Sequence, residues 1–301
     1  TECTDGIGPN SIRSLFRDNQ DGIWIGTAHD GIYRWNPEKD RFKTGRVSAR
    51  QHSEFSDDIT CIASDSEHNI WMGTRDGDIV KADSGGNGFR HFPVFASNKH
   101  YKLGNKAVNT IYADNEYLYI GAVAGGLKIM DKRNGTISQP DTGADTPQNI
   151  FKIARADKNN LYVAAPDGLW IYNIGHKRFY TAGVRQDLEK PQEVTHLIID
   201  NDGLLWTGGD NGICVYRIQP MSAGENVAEE GRLTLENVTP TPIFGAISSM
   251  TEINDIFVSS TSDIWISTDS GLYAYSKKNG ALRLYSEKEG FSESDGIATI
   301  E

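Results

Sequence analysis

A short phrase built around an aromatic residue returns six times along the chain. Its clearest copies are Ile23–Thr27, Ile70–Thr74 and Ile264–Thr268, and each of them opens on the dipeptide Ile-Trp. The six aromatic anchors, in order, are Trp24, Trp71, Tyr119, Tyr162, Trp206 and Trp265. They lie 47, 48, 43, 44 and 59 residues apart, and periods of about this size are typical of solenoids and propellers. The chain is therefore a tandem repeat.

Each repeat carries signals for four short strands. An apolar pair three residues apart, such as Ile59 and Ile62, precedes the anchor and suggests a strand buried on both faces. A turn headed by Asp, such as Asp65–Asn69, joins this strand to the anchor strand. A turn closing on Gly then leads to a third strand, as in Asp167–Trp170, and a weaker fourth follows, as in Lys177–Tyr180. The pattern predicts an all-β β-propeller of four-stranded antiparallel blades, with helical content near zero.

The repeats also predict the number of blades. Six complete units end near Tyr285, and Gly296–Glu301 has the pattern of a further opening strand, with Ile297 and Ile300 as its apolar pair. We therefore expect one propeller domain over residues 1–301 that forms part of a seven-bladed ring. A six-bladed ring followed by a C-terminal tail is the alternative.

Composition excludes several classes of function. The net charge of −11 and the isoelectric point near 5.1 disfavour a nucleic-acid partner, because an acidic surface repels phosphate backbones. The three cysteines, Cys3, Cys61 and Cys214, are too few and of odd number for a disulfide framework, so we expect buried free thiols in strands. The sequence contains no run of 18 apolar residues, so this stretch is expected to be soluble, with membrane contact only through segments outside it.

The first repeat resembles the two-component regulator propeller repeat. That pattern reads roughly Asn-x-Val-x-x-Ile-x-x-Asp-x-x-Gly-x-Leu-Trp-Ile-Gly-Thr-x-x-Gly-Leu-x-x-Tyr. Asn10–Leu15, Asp18, Gly22–Thr27 and Gly31–Tyr33 follow it almost throughout. The resemblance covers essentially the whole chain, strongly in the first two units and more loosely in the others, where Tyr replaces Trp in the third and fourth.

The resemblance implies an extracytoplasmic function. Propellers of this family occur in the sensor regions of hybrid two-component systems, in which a periplasmic sensor is joined through one membrane span to a histidine kinase and a response regulator. It implies a periplasmic module that binds oligosaccharides from glycan breakdown, acts with a neighbouring domain or a second protomer in a dimer, and controls glycan-utilisation genes. The repeat residues themselves form the scaffold of the fold and do not locate a ligand.

Candidate binding residues lie in loops that open on one end of the blades, where a rigid scaffold commonly carries function. In the first unit the turn after the anchor is one residue longer than usual, so His29 is expected to project there. Planar polar groups in these turns suit hydrogen bonds to sugar hydroxyls. In the insertion after Pro93, an aromatic ring suits stacking on a sugar face, and a cation suits an acidic glycan. The candidates are His29, Asp30, Arg75, Asp76, Tyr101, Lys102, Asp167, Asp210, Asn211 and Asp269. Loop drift, ordinary turn formation and a solvated insertion are the alternatives.

Motifs for catalysis or metal binding are absent from the sequence. It contains neither His-Glu-x-x-His nor Gly-x-Ser-x-Gly nor a phosphate-binding loop. Asp18 lies six residues before Trp24, whereas the Asp box of sialidases needs five. We therefore expect a non-catalytic sensor without cofactor or metal. A carbohydrate-active propeller enzyme and a protein-interaction scaffold stay open, because carboxylates from separate blades leave no local motif.

Overall fold

The computed structural model describes most of the chain. The described residues are 12–18, 22–36, 41–45, 57–82, 88–94, 106–140, 146–181, 183–184, 193–209, 212–220, 233–247 and 251–285. They form two compact units. One extends to Pro140 and includes Gln148–Ile150, and the other contains residues 146–147 and the chain from Phe151 onward.

The first unit contains three four-stranded antiparallel sheets, each with its strands in sequence order. Blade 1 consists of β1 (Ile12–Arg17), β2 (Ile23–Thr27), β3 (Ile32–Asn36) and β4 (Arg41–Gly45). Blade 2 consists of β5 (Ile59–Ser64), β6 (Ile70–Thr74), β7 (Asp78–Ala82) and β8 (Phe89–Pro93). Blade 3 consists of β9 (Val108–Ala113), β10 (Tyr117–Ala122), β11 (Gly126–Asp131) and β12 (Ile137–Ser138).

The second unit contains three further blades and one short helix. Blade 4 consists of β13 (Lys152–Arg155), β14 (Asn160–Ala165), β15 (Gly168–Asn173) and β16 (Arg178–Thr181). Blade 5 consists of β17 (Gly183–Val184), β18 (His196–Ile199), β19 (Leu205–Gly209), β20 (Gly212–Pro220) and β21 (Leu233–Asn237). Blade 6 consists of β22 (Ile253–Val258), β23 (Ile264–Thr268), β24 (Gly271–Tyr275) and β25 (Leu282–Tyr285), and α1 (Thr241–Ala246) precedes it.

These blades confirm the predicted fold class, an all-β propeller with six complete four-stranded antiparallel repeats. Blade 5 differs from the prediction, because β17 adds a fifth strand, parallel to β21, at its outer edge. The opening strand predicted at Gly296–Glu301 lies outside the described residues, so the seven-bladed ring and the single domain stay predictions. Of the cysteines, Cys61 is buried and Cys214 half-buried, and neither is joined in a disulfide within the described part of the chain; Cys3 lies outside it.

The first strand of blade 2 is covered on both faces, as the sequence suggested, but its apolar pair Ile59 and Ile62 lies on one of them. Ile59 pairs with Thr74 and Cys61 with Gly73, so a β-bulge falls at the residue between them. The bulge turns Ile59 and Ile62 to the same side, where both pack in one core cluster with Trp24 of blade 1. One extra residue in a strand changes the alternation of its side chains, and the spacing of three follows from that. The opposite face is covered by Cys61, which packs against blade 3.

The fourth position of the anchor phrase is small because the next blade occupies its space. A Cβ placed on Gly26 would lie 2.8 Å from Ile59 Cγ2, and one on Gly73 would lie 2.6 Å from Val108 Cγ1. A Cβ on Gly208 would likewise lie 2.8 Å from Ile253 Cγ2. In each case the contact is with the first apolar residue of the following blade. Consecutive blades therefore pack so closely at this position of the repeat that a glycine is needed there.

Tyr162, the anchor of blade 4, leaves its hydroxyl without a hydrogen-bond partner among the described residues. The side chain is completely buried, and burial raises the pKa of its phenol well above the ordinary value. A buried hydroxyl without a partner costs about 1 to 3 kcal/mol.

Replacing Tyr162 with Phe is therefore expected to raise the free energy of unfolding by about 1 kcal/mol and the melting temperature by about 2 °C. Urea unfolding and calorimetry measure both. Tyr216→Phe is the matched control, because that buried hydroxyl interacts with the Cys214 side chain, which contributes to the raised pKa of the phenol, and its removal is expected to be neutral or destabilising. If Y162F is less stable than the unmodified protein, the hydroxyl has a partner and the argument is wrong.

Candidate functional site

Three buried aspartates each hold the indole of a Trp anchor six residues later. In blade 2, Trp71 Nε1 donates to Asp65 Oδ2 at 2.9 Å, while the backbone N–H groups of Glu67 and Asn69 donate to Oδ1, each at 3.0 Å. The other two pairs, Asp18 with Trp24 and Asp200 with Trp206, have Nε1–Oδ2 distances of 2.8 Å. One oxygen thus closes the turn, as expected from the sequence, and the other fixes the anchor.

A cation completes each of these sites. Lys132 Nζ of blade 3 lies 3.1 Å from Asp65 Oδ2 of blade 2, and Lys277 Nζ of blade 6 lies 2.8 Å from Asp200 Oδ2 of blade 5. Each lysine therefore ties its blade to the preceding one. In blade 1 the cation is Arg34 of the same blade, whose Nη2 lies 2.9 Å from Asp18 Oδ2.

The blades with a Tyr anchor lack this arrangement. Asp114 and Asp157 lie five residues before Tyr119 and Tyr162, and their carboxylates accept hydrogen bonds from the N–H groups of their own turns. Tyr has no indole N–H to satisfy. Three of the four Trp anchors have Asp at minus six, whereas Trp265 has Ser259 there, and both Tyr anchors have Asp at minus five. This difference was visible in the sequence and could have identified the Asp–Trp sites.

The electrostatics of Asp65 make it a poor proton donor. Burial alone would raise the pKa of its carboxyl, but the hydrogen bonds from Trp71, Asn69 and Lys132 outweigh it and lower the pKa to about 2. Hydrogen bonds to the ionised form favour that form. The same balance, with Lys277 and Trp206 as donors, lowers the pKa of Asp200. These carboxylates stay ionised at neutral pH and act as structural acceptors.

An open cleft of about 490 Å³ lies between blades 1 and 2, at the turns that precede their anchors. Its size lies within the range of ligand sites, about 300 to 1,000 Å³. Its lining combines an aromatic ring, polar side chains and two carboxylates, from Phe16, Arg17, Ser64, His68, Asp18 and Asp65. The sequence did not predict a site at this end of the blades.

The predicted candidates of the first two blades lie at the other end. The Arg75 N–H donates to the carbonyl of Asp58, and Arg75 Nε lies 2.6 Å from the buried carboxylate of Asp58. Arg13 Nε of blade 1 lies 3.5 Å from the other oxygen of that carboxylate. Asp58 thus holds two guanidinium groups from neighbouring blades, and Arg75 contributes to the fold whether or not it contacts a ligand.

His29 and Asp30 lie in the adjoining turn of blade 1, as the sequence predicted for post-anchor loops. The N–H of Gly31 in this turn donates to the carbonyl of Asp57, in the segment that leads into blade 2. His29 is exposed and Asp30 half-buried, and the Asp30 N–H donates to Thr27 Oγ1 at 3.0 Å. Turns of neighbouring blades therefore do meet at one end of this unit.

Asp76 is exposed and its main effect is on Asp78. Burial of Asp78, together with the negative charge of Asp76, raises the pKa of the Asp78 carboxyl to about 6. This is the range of a general acid, and the sequence gave no sign of it.

In the second unit, Asp167 and Asp269 are exposed in post-anchor turns. Trp170 Nε1 donates to Asp167 Oδ1 at 3.0 Å, and Ser270 Oγ donates to Asp269 Oδ1 at 3.1 Å. The remaining candidates lie outside the described residues, namely Tyr101, Lys102, Asp210 and Asn211. All ten candidate residues stay predictions as ligand contacts.

Three titratable residues that sequence reasoning missed occupy one register position on the first strands of blades 4, 5 and 6. Lys152, His196 and Asp255 pair with the fourth residue of the anchor phrase in their own blades. Burial lowers the pKa of His196 to about 4, with Lys152 adding to the effect, and burial raises the pKa of Asp255 to about 6. In the first unit this position holds Ser14, Cys61 and Thr110, so comparing the aligned repeats would have singled it out.

Two further observations concern the described part of the chain. No group of three or more His, Cys, Asp or Glu side chains there is arranged to hold a metal ion. None of its helices is long and apolar enough to cross a bilayer.

Solved structures similar to this chain include extracellular domains of hybrid two-component systems of B. thetaiotaomicron. That of BT4673 is 21% identical with a TM-score of 0.68, and 93% of this chain matches 37% of it. That of BT3049 is 16% identical with a TM-score of 0.68, and 97% of this chain matches 37% of it. This chain therefore spans little more than a third of either domain. PorZ, a surface component of the type-IX secretion system of Porphyromonas gingivalis, is 15% identical with a TM-score of 0.68, and 98% of this chain matches 44% of it.

At these identities the likeness shows the fold alone. A comparison with curated proteins gives no match. The family model of the two-component regulator propeller matches residues 6–29 and 53–76, which surround the first two Trp anchors and their Asp-headed turns. The Asp–Trp contact is built in the same way at both anchors and again in blade 5. The first two repeats of the chain therefore match the two-component regulator propeller.

Proposed function

We propose that this propeller is the ligand-sensing part of a periplasmic sensor region in a hybrid two-component histidine kinase. The observation that carries the proposal is the regulator-propeller repeat on blades whose fold resembles extracellular domains of hybrid two-component systems. The ligand is an oligosaccharide released by glycan breakdown. Its binding changes how the propeller packs against a neighbouring domain or a second protomer, and this change controls the kinase.

The interior of the blades supports a binding function over a catalytic one. The best-formed buried carboxylates, Asp18, Asp65 and Asp200, are bound to Trp indoles and cations. The lowered pKa values of Asp65 and Asp200 keep these two carboxylates ionised, so they cannot protonate a leaving group at neutral pH. The anchors instead fix the frame that carries the loops, and loops on such frames suit binding.

A thermal-shift screen against oligosaccharides from host and plant glycans tests the proposal. A ligand that binds only the folded state at 100 times its Kd stabilises it by about 2.7 kcal/mol, which corresponds to a rise in melting temperature of several degrees. Chromatography of the oligosaccharide after incubation shows whether it stays intact. An intact ligand that stabilises the protein supports a sensor. If no oligosaccharide in the panel raises the melting temperature, the proposed ligand is contradicted.

Asp78 favours one alternative, a carbohydrate-active enzyme. Burial and the negative charge of Asp76 raise its carboxyl pKa to about 6, and a carboxyl that titrates near neutral pH suits a general acid. Cleavage of an oligosaccharide that is lost in the Asp78→Asn variant would establish this activity. Cleavage that persists in the variant would assign it elsewhere.

A further inference from the structure

The cleft between blades 1 and 2 contains a residue whose backbone conformation is unusual for its type. His68 has φ of +62°, in the left-handed region that glycine adopts without cost. Its N–H closes the Asp-headed turn on the carbonyl of Asp65 at 2.9 Å. Gly203 occupies the equivalent place in blade 5 with φ of +77°, and its N–H bonds the carbonyl of Asp200 at the same distance. The turn thus accepts glycine without change, yet blade 2 carries a histidine.

The imidazole of His68 has no structural duty that would explain this choice. The side chain is exposed, and the turn is held by the backbone of His68 and by the carboxylate of Asp65. A side chain kept in a costly conformation is a reason to look for function. Its position on the wall of a cleft supplies the place where that function would operate.

The carboxylates of the cleft do not make it an acidic or metal-binding site. Asp18 is paired with Arg34 at 2.9 Å and Asp65 with Lys132 at 3.1 Å, and both carboxylates are almost fully covered. The groups that face solvent are different. They are the exposed imidazole of His68, guanidinium of Arg17 and hydroxyl of Ser64, which lie beside the half-buried ring of Phe16.

We propose that this cleft binds one sugar ring of the oligosaccharide, with the C–H face of the sugar against Phe16 and its hydroxyls bonded by His68, Arg17 and Ser64. Sugar rings combine an apolar face with a rim of hydroxyls, and sites built from an aromatic ring and a few placed polar groups match both. The inference rests on the proposed function and moves its ligand to the end of the blades opposite the post-anchor turns.

The test uses a change that separates binding from stability. His68→Gly removes the imidazole and relieves the left-handed backbone, so its melting temperature is expected to equal or exceed that of the unmodified protein. Binding is expected to weaken about fivefold or more, as for loss of one hydrogen bond. Ser262→Gly is the matched control, because Ser262 has φ of +66° at the equivalent turn position in blade 6. It relieves the same conformation away from the cleft, and its binding is expected to be unchanged.

The probes are two pools of disaccharides, one built from glucose, galactose, mannose, xylose and arabinose, the other carrying a uronic acid. Saturation-transfer NMR detects binding, and titration of each responding disaccharide gives its affinity. A second variant, Phe16→Leu, keeps the packing of β1 against the core but removes the ring, and it is expected to weaken binding to a similar degree.

The outcomes separate the cleft from the sensing function. Weaker binding in H68G with unchanged binding in S262G supports the cleft. Binding that is equal in H68G, F16L and the unmodified protein overturns the cleft and leaves oligosaccharide sensing in place. No transfer to any disaccharide in either pool, with the protein folded, overturns both.

Discussion

Replacing Asp200 with Ala is expected to lower the free energy of unfolding by about 3 to 5 kcal/mol, the usual cost of breaking a buried ion pair. The substitution removes the acceptor of the Trp206 indole and of two turn N–H groups, and it leaves the Lys277 ammonium without its buried partner. The Asp200 carboxylate is completely covered, so water cannot replace it. Urea unfolding followed by Trp fluorescence measures the loss and also reports directly on the indole.

Asp202 provides the matched control for this prediction. It forms an ion pair with the same Lys277 ammonium, but its side chain is 67% exposed. Exposed ion pairs contribute about 0 to 1 kcal/mol, so Asp202→Ala is expected to have little effect on the free energy of unfolding. If D200A and D202A lose similar amounts, the buried network does not stabilise the fold and the assigned role of Asp200 is wrong.

The sequence predicted the part of this network formed by neighbouring residues, but it did not predict the ion pair with Lys277. The turn formed by Asp200 and the position of Trp206 follow from residues within six positions of each other, which repeat along the chain. Lys277 lies 77 positions away, and a lysine in a turn of another blade carries no local signal of its partner. Contacts between blades depend on how strands from different repeats are placed in space, and this placement is set by packing.

The same limit applies to the candidate sites. The sequence correctly located the post-anchor turns, because positive-φ glycines such as Gly31 and Gly77 mark them. It did not show that Arg75 is bound to Asp58, nor that blades 1 and 2 enclose a cleft at their other end. His68 was passed over as an ordinary turn residue, since only its backbone angle distinguishes it from its neighbours.

Gly121→Ala is expected to lower the free energy of unfolding by about 3 kcal/mol, at the upper end of what overpacking usually costs. The added Cβ would lie 2.4 Å from Ile150 Cγ2 and 2.7 Å from Thr110 Cγ2. Both neighbours are buried, Ile150 completely, and dense interiors give way little to an added methyl group. The N–H of Ile150 also bonds the carbonyl of Ala122 at 3.2 Å, which restrains its backbone. Calorimetry and urea unfolding measure the loss.

Gly245→Ala makes the identical chemical change where space is open. A Cβ on Gly245 would meet nothing within 4 Å, and Gly245 lies in α1, where Ala is favoured over Gly by roughly 0.5 to 1 kcal/mol. G245A is therefore expected to be neutral or stabilising. Blade 4 has Ala164 at the position of Gly121, with Val194 following in the same core cluster, so the fold accepts the methyl group once the facing residue is smaller. Accordingly, Gly121→Ala combined with Ile150→Ala is expected to cost less than the sum of the two single changes. Strict additivity in that double-mutant cycle would mean that Gly121 is small for a reason other than the approach of Ile150.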